Sequence, residues 1–263
     1  MDGLPGRMRS VNAAVLGSPG AAAALPVASA LGKKGSETDV VQFNAKDGDR
    51  SLTVLVPARY PERVQGLAFC LASSDVVLLS VEAVDRTLGE QVVAADALAP
   101  ERGMLLLRNY VTREQVAPLL RNTRLAAWEI LEDPPLPDLR ERLLDVSSPP
   151  RPGPTKVVID QHFNVKGVGT VALGIVARGE VRRHQDLTVH PTERVAQVRS
   201  IQVHDTDVDV APAGSRVGLA LKGVESDELD RGFVLAPKDA ARSAAPGDSL
   251  RFRARVPPFF KQG

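Results

Sequence analysis

The sequence predicts an α/β domain followed by an all-β barrel within 263 residues. Three observations predict this order. Strand-like and helix-like segments alternate up to residue 146, a Pro-rich segment covers residues 147–155, and short strands separated by glycine turns fill residues 156–237. The alternation favours a doubly wound sheet with helices on both sides. Evenly spaced strands in so short a stretch favour a closed barrel.

The elements of the first domain, residues 8–146, follow from hydrophobic periodicity and from turn residues. Apolar runs at 75–81 and 103–107 are typical of strands buried on both faces of a sheet, and the Gly/Asp turn at 46–49 predicts a hairpin. Val64, Leu67, Ala68 and Leu71 recur at helical spacing. In chain order we predict strands at 11–16, 40–43, 52–56, 75–81, 103–107 and 125–130, and helices after Gly20, at 62–72, at 85–98, after Thr112 and at 136–144.

The second half divides at glycine-containing turns. We predict barrel strands at 157–163, 169–176, 186–189, 195–203, 215–221 and 233–235. Residues 238–263 form a tail with one further predicted strand at 249–256. The prolines and Gly153 in the linker, residues 147–155, end any preceding helix and stiffen the chain.

Composition narrows the classes of function. Lys and Arg total 33 against 32 Asp and Glu, so no global field draws the chain to nucleic acid, and we expect no DNA partner. The single cysteine, Cys70, excludes an intrachain disulfide. No apolar run approaches the roughly 20 residues needed to span a bilayer. We therefore expect a cytoplasmic protein with no membrane partner.

The second half resembles the second-domain β-barrel of the translational GTPases, above all elongation factor Tu and the selenocysteine-specific elongation factor. The resemblance rests on the runs KGVGTV at 166–171, DLTVHPT at 186–192, VRSIQVH at 198–204, RVGLALKGV at 216–224 and DRGFVL at 230–235. It implies a P-loop GTPase-like fold for the first domain and a translation-factor-type barrel for the second. It also implies that the tail at 238–263 is the first strand of a third domain that is truncated or absent.

A GTPase of this family needs a phosphate loop of the form G-x-x-x-x-G-K-[ST], whose lysine neutralises phosphates and whose hydroxyl holds magnesium. Here Gly17 and Gly20 are present, while Ala22, Ala23 and Ala24 stand where the resemblance places the second glycine, the lysine and the hydroxyl. The segment 32–36 (GKKGS) is the other candidate loop, but it lacks the first glycine.

The two other GTPase motifs also depart from the family pattern. The resemblance places the D-x-x-G switch at Val56 and Arg59, with Tyr60 in place of the water-positioning histidine. It places the N-K-x-D base clamp at Arg108, Asn109 and Val111. These replacements predict a degenerate GTPase domain with no catalytic residue, no metal and no cofactor. GTP and magnesium would bind only if the chain were an atypical GTPase with rearranged contacts.

Basic residues in the barrel are candidates for binding RNA or a partner. They are Arg178, Arg182, Arg183, His184, Arg194 and Arg199. The resemblance implies that such a surface faces the ribosome or tRNA, whereas pairing with Glu180, Asp186 and Glu193 would make these arginines structural. The sequence thus predicts a non-catalytic, elongation-factor-like protein that binds the ribosome, tRNA or a translation-factor partner. The alternatives are an atypical GTP-binding elongation factor and an interaction module outside translation.

Overall fold

The computed structural model describes residues 9–146 and 151–240. Residues 9–146 belong to one compact unit and residues 151–240 to a second. Residues 147–150 of the predicted linker and residues 241–263 of the predicted tail, including the predicted strand at 249–256, lie outside the described residues. Within the described residues, no helix is long and apolar enough to cross a membrane.

The first unit is an α/β sandwich around a seven-stranded sheet of order β2-β3-β4-β1-β5-β6-β7. All neighbouring pairs are parallel except β2–β3 and β3–β4. The strands are β1 (Arg9–Ser18), β2 (Lys33–Glu37), β3 (Val40–Asp47), β4 (Arg50–Pro57), β5 (Val76–Val81), β6 (Gly103–Leu107) and β7 (Glu129–Glu132). The helices are α1 (Gly20–Leu31), α2 (Val64–Ala72), α3 (Arg86–Leu98), α4 (Arg113–Leu120) and α5 (Leu136–Leu144). This architecture confirms the predicted fold class of the first half.

The core explains why the parallel strands are apolar throughout. Ala13 and Val15 of β1 belong to the hydrophobic cluster that also contains residues of α1 and α5. Ala14 and Leu16 point to the opposite face, because side chains alternate along a strand, and they are equally buried. Both faces of β1 are therefore covered, as a doubly wound sheet requires.

Three sequence interpretations differ from the structure in this unit. Residues 33–37, weighed as a second phosphate loop, form the edge strand β2, which pairs with β3. The predicted strand at 125–130 is a 3-10 turn (Arg124–Ala127) followed by β7, because Trp128 packs against Gly103. Val64 is 60% exposed, since α2 buries the face that carries Leu67, Cys70 and Leu71.

The second unit is a closed barrel, as predicted. Six strands close a ring of order β11-β16-β8-β9-β15-β12, and β12 pairs back onto β11. The strands are β8 (Lys156–Val165), β9 (Gly169–Arg178), β10 (Glu180–Arg182), β11 (Asp186–His190), β12 (Arg194–Val203), β13 (Thr206–Val208), β14 (Val210–Pro212), β15 (Arg216–Lys222) and β16 (Val234–Ala236). The sequence analysis does not predict the short strands β10, β13 and β14, which lie in the connections between the predicted barrel strands.

Candidate functional site

The candidate site of the first unit lies at the carboxyl edge of its parallel strands. The loops that follow β1, β5, β6 and β7 all leave the sheet at this edge. Ligands of doubly wound sheets bind outside the carboxyl ends of the strands. Of the residues predicted from the three GTPase motifs, Gly17 and Gly20 flank the turn after β1, and Arg108, Asn109 and Val111 lie in the loop after β6.

The first loop is very short. Strand β1 runs to Ser18 and α1 begins at Gly20, so that Pro19 alone separates them. A Cβ atom on Gly17 would lie 2.5 Å from the Gly20 carbonyl oxygen and 2.6 Å from the Ala24 nitrogen. Gly20 has a φ of 61°, a conformation that glycine adopts without strain. The two glycines thus permit a tight strand-to-helix turn.

The alanines that follow this turn belong to helix α1. Ala23 is 0% exposed and Ala24 is 1% exposed, and Ala24 lies in the main hydrophobic cluster. Ala22 is exposed. The two positions that the resemblance assigned to a phosphate-binding lysine and a magnesium-binding hydroxyl therefore hold methyl groups in the core.

Polar contacts hold the first loop against α3. The Ser18 hydroxyl lies 2.6 Å from Asp85 Oδ1 and 2.8 Å from the Ala83 carbonyl oxygen. Asp85 also caps α3 by accepting from the Leu88 amide at 2.9 Å, and the Gln91 side-chain amide donates to the Gly17 carbonyl at 2.9 Å. The side chains that contact this loop are thus a carboxylate and neutral groups, and a carboxylate repels a phosphate.

The residues that the resemblance assigns to the D-x-x-G switch have different surroundings. Val56 is fully buried in the core, and Arg59 is exposed. Tyr60 comes next to the first loop, since its carbonyl oxygen lies 3.8 Å from the position of a Cβ on Gly20. The Tyr60 hydroxyl donates to Glu90 Oε2 at 2.7 Å, and Glu90 also accepts from Arg86 at 2.7 Å.

Burial and then the bond to Glu90 raise the pKa of Tyr60. The same bond, followed by the bond from Arg86, lowers the pKa of Glu90. Tyr60 is therefore a protonated donor to an ionised carboxylate at neutral pH. This arrangement anchors the segment and leaves the Tyr60 hydroxyl engaged.

The residues that the resemblance assigns to the base clamp lie beside acidic residues that the sequence analysis did not identify as part of the site. Arg108 Nε lies 4.0 Å from Glu82 Oε1 and 3.6 Å from Asp133 Oδ1, and Asn109 Nδ2 lies 3.5 Å from Glu82 Oε2. The Val111 amide donates to the Arg108 carbonyl at 3.0 Å and closes a turn. Glu82 and Asp133 directly follow β5 and β7, and this position at strand ends was the signal available in the sequence.

Three of the six basic residues predicted in the barrel lie in or beside the turn before β11, and one of them, Arg183, also pairs with Asp209 at 3.6 Å. Arg183 and His184 lie in the turn before β11 and reach β12: Arg183 Nε donates to the Arg199 carbonyl at 3.2 Å, and the His184 amide donates to the Val198 carbonyl at 2.7 Å. Arg199 is also exposed, and its guanidinium donates to the Val168 carbonyl at 3.3 Å. We call Arg183, His184 and Arg199 the basic patch.

The other three basic candidates contact other groups. Arg178 donates to the Pro154 carbonyl at 3.1 Å, and Arg182 forms an ion pair with Glu180. Arg194 begins β12, five residues before Arg199, and pairs with Glu228 at 2.8 Å. The expected pairing with Glu180 is present, while Asp186 accepts from Gln197 and Glu193 pairs with His190.

No group of three or more His, Cys, Asp or Glu side chains in the described parts of the chain is arranged to hold a metal ion.

The candidate sites of the two units differ in charge. The carboxyl edge of the first unit carries carboxylates and buried methyl groups, and the barrel carries an exposed basic patch.

Comparison with known proteins agrees with this architecture. The family Elongation factor Tu domain 2 matches residues 169–236. The selenocysteine-specific elongation factor of Methanocaldococcus jannaschii is 44% identical over 84 residues, which are 32% of this chain and 18% of that protein. The crystal structure of translation elongation factor SelB from Methanococcus maripaludis, in complex with the GTP analogue GppNHp, superposes over 89% of this chain and 56% of that one, with a TM-score of 0.74 and 21% identity.

The chain is related to the translational GTPases through its barrel, which matches elongation factor Tu domain 2 and part of a selenocysteine-specific elongation factor. The SelB likeness extends over both units, although at 21% identity it concerns the fold alone.

An uncharacterized Methanocaldococcus jannaschii protein, MJ0325, is 40% identical over 207 residues, which are 78% of this chain and 67% of that protein. Each unit is shorter than 207 residues, so the alignment includes parts of both. The chain therefore belongs to the same family as MJ0325. By contrast, it spans only 18% of the named selenocysteine factor and 56% of the SelB structure.

Proposed function

We propose that this chain is a non-catalytic member of the superfamily, with an α/β unit that has lost nucleotide chemistry and a barrel that binds the ribosome, tRNA or a translation-factor partner in the cytoplasm. In this proposal, the degenerate GTPase-like domain covers residues 8–146 and the barrel covers residues 156–237. Such a protein would modulate translation without a hydrolysis step to time its release.

The observation that carries the proposal is the environment of Ala23 and Ala24. Binding of a nucleoside triphosphate needs a cationic side chain and a metal ligand at these positions. Here both side chains are methyl groups enclosed in the core. Asp85, which accepts a hydrogen bond from Ser18 beside this turn, adds negative charge. Since one hydrogen bond to a charged group contributes about 1.5–3 kcal/mol, the combined loss leaves no strong attraction for a polyanion.

A nucleotide titration tests the first half of the proposal. Fluorescent GTP with magnesium is added to the full chain, with a selenocysteine-specific elongation factor as the positive control. We expect no saturable signal from the chain. Binding in the micromolar range would instead support an atypical GTP-binding elongation factor.

Sedimentation with ribosomal subunits tests the second half. We expect co-migration at low salt that decreases steeply at high salt, because contacts to phosphates release counterions. The variant Arg183→Ala/Arg199→Ala should migrate less with the subunits. Arg113→Ala/Arg142→Ala removes the same charge from the first unit and serves as the matched control.

Equal migration of both variants would contradict a role for the basic patch. Absence of the wild-type chain from every ribosomal and tRNA fraction would favour an interaction module outside translation.

A further inference from the structure

Tyr110 is the most exposed large hydrophobic residue of the described chain. Its relative exposure is 101%, and Val84, in the neighbouring loop at the carboxyl edge, is 45% exposed. Tyr110 lies in the β6–α4 loop and Val84 in the β5–α3 loop. The contact between Asn109 and Glu82 joins the two loops. Two exposed apolar side chains thus belong to loops that contact each other at the carboxyl edge.

The backbone holds Tyr110 in this position at a cost. Asn109 and Tyr110 have φ values of 50° and 63°, a left-handed conformation that is uncommon for residues other than glycine. The turn is fixed because the Arg108 amide donates to the Val81 carbonyl and the Val111 amide donates to the Arg108 carbonyl. A fully exposed ring gains no packing energy within the chain to offset this strain.

The charges around Tyr110 indicate what it contacts. Residues 82–85, 108–113 and 132–133 contain four carboxylates and two guanidinium groups. Arg108 is shared by Glu82 and Asp133 at 4.0 and 3.6 Å, distances too long for strong hydrogen bonds. Both carboxylates therefore keep acceptor capacity. The excess negative charge repels a phosphate backbone and attracts a cation.

We propose that Tyr110 and Val84, with Glu82 and Asp133, form a docking surface for an arginine- or lysine-containing segment of a protein partner. A guanidinium or ammonium group over the Tyr110 ring gains a cation–π interaction, and the carboxylates accept its hydrogen bonds. Tyrosine is also among the residues that contribute most at protein interfaces. This surface belongs to the first unit and does not depend on the proposed function.

The test measures binding and stability on the same variants. The probe is a fluorescein-labelled peptide of six Arg-Gly repeats, followed by anisotropy at low salt with the full chain. We expect Tyr110→Ser to weaken binding about two- to fivefold, the effect of one exposed cation–π contact, and Asp133→Asn to weaken it as well. Leu98→Ser, which alters another exposed apolar residue of the first unit, is the matched control and should bind like the wild type.

Thermal unfolding supplies the second measurement. Because the Tyr110 ring is fully exposed and serine keeps the same backbone strain, Tyr110→Ser should melt at the wild-type temperature. Equal peptide affinity of wild type and Tyr110→Ser would overturn the proposal, as would a large loss of stability in that variant. Stronger binding of a Glu-Gly peptide or of an RNA dodecamer, or self-association of the chain that Tyr110→Ser abolishes, would overturn it too.

Discussion

At the scale of single residues, the contact between Tyr60 and Glu90 couples the segment after β4 to helix α3. The bond is 2.7 Å long and joins a buried hydroxyl to a carboxylate that also binds Arg86. The pKa of Glu90 is lowered from its ordinary value of 4.5. A carboxylate with a lowered pKa stabilises the folded state above its ordinary pKa, and this contribution is lost as the pH falls through the lowered value.

We therefore predict two effects of Tyr60→Phe. At pH 7 the variant should lose about 1–2 kcal/mol of unfolding free energy, the contribution of a hydrogen bond to a charged group in a partly exposed site. Below about pH 4.5 the variant should lose less further stability than the wild type. Urea unfolding at several pH values measures both effects, and parallel pH profiles would contradict the assignment.

Ala23 permits a second residue-scale prediction. Restoring the family pattern by Ala23→Lys would place an ammonium group where the side chain is now fully enclosed. Because a buried unpaired charge and overpacking both destabilise, we expect a loss of about 3 kcal/mol or more and no gain of GTP binding. Ala22→Lys, at an exposed position of the same helix turn, is the control and should fold normally.

At the scale of elements, the start of β6 packs closely against the residue that precedes β7. A Cβ on Gly103 would lie 2.2–2.4 Å from ring carbons of Trp128, and the indole nitrogen donates to the Glu101 carbonyl at 3.1 Å. This close approach at the start of β6 requires glycine. It also turns residues 124–127 into a 3-10 turn before β7 begins.

Gly103→Ala should therefore destabilise the protein by about 1–3 kcal/mol, the usual cost of overpacking. In the Trp128→Ala background the same substitution should cost much less, because the ring that it would contact is gone. A double-mutant cycle from urea unfolding measures this coupling. Additive costs would show that Trp128 is not the obstacle.

The barrel has its own element-scale determinant, the buried ion pair between Asp160 of β8 and Arg216 of β15. Removing one partner of a buried pair leaves an uncompensated charge and costs about 3–5 kcal/mol. We expect a loss of this size for Arg216→Met and a smaller loss for Asp160→Asn/Arg216→Met. Circular dichroism during urea unfolding would test this order, and the reverse order would be inconsistent with a charge-pair role.

At the scale of the whole molecule, each unit has its own hydrophobic cluster, and the proposed functions divide in the same way. If the α/β unit bound GTP at micromolar affinity, nucleotide at 1,000 times that concentration would stabilise it by about 4 kcal/mol. We predict that millimolar GTP and magnesium leave the melting temperature of the full chain unchanged. A rise of several degrees, absent with ATP, would indicate a functioning nucleotide site.

The sequence by itself determined the fold class and the closed barrel, because period-two strands, fully apolar strands and glycine turns are local signals. The family resemblance added the identities of the residues at the GTPase positions. Only the tertiary structure decided which residues meet. It placed Ala23 and Ala24 in the core and gathered Glu82, Asp133 and Tyr110 at one edge. The strand-end positions of Glu82 and Asp133 can be read from the sequence, but which strand ends are neighbours depends on the strand order, which no local pattern encodes.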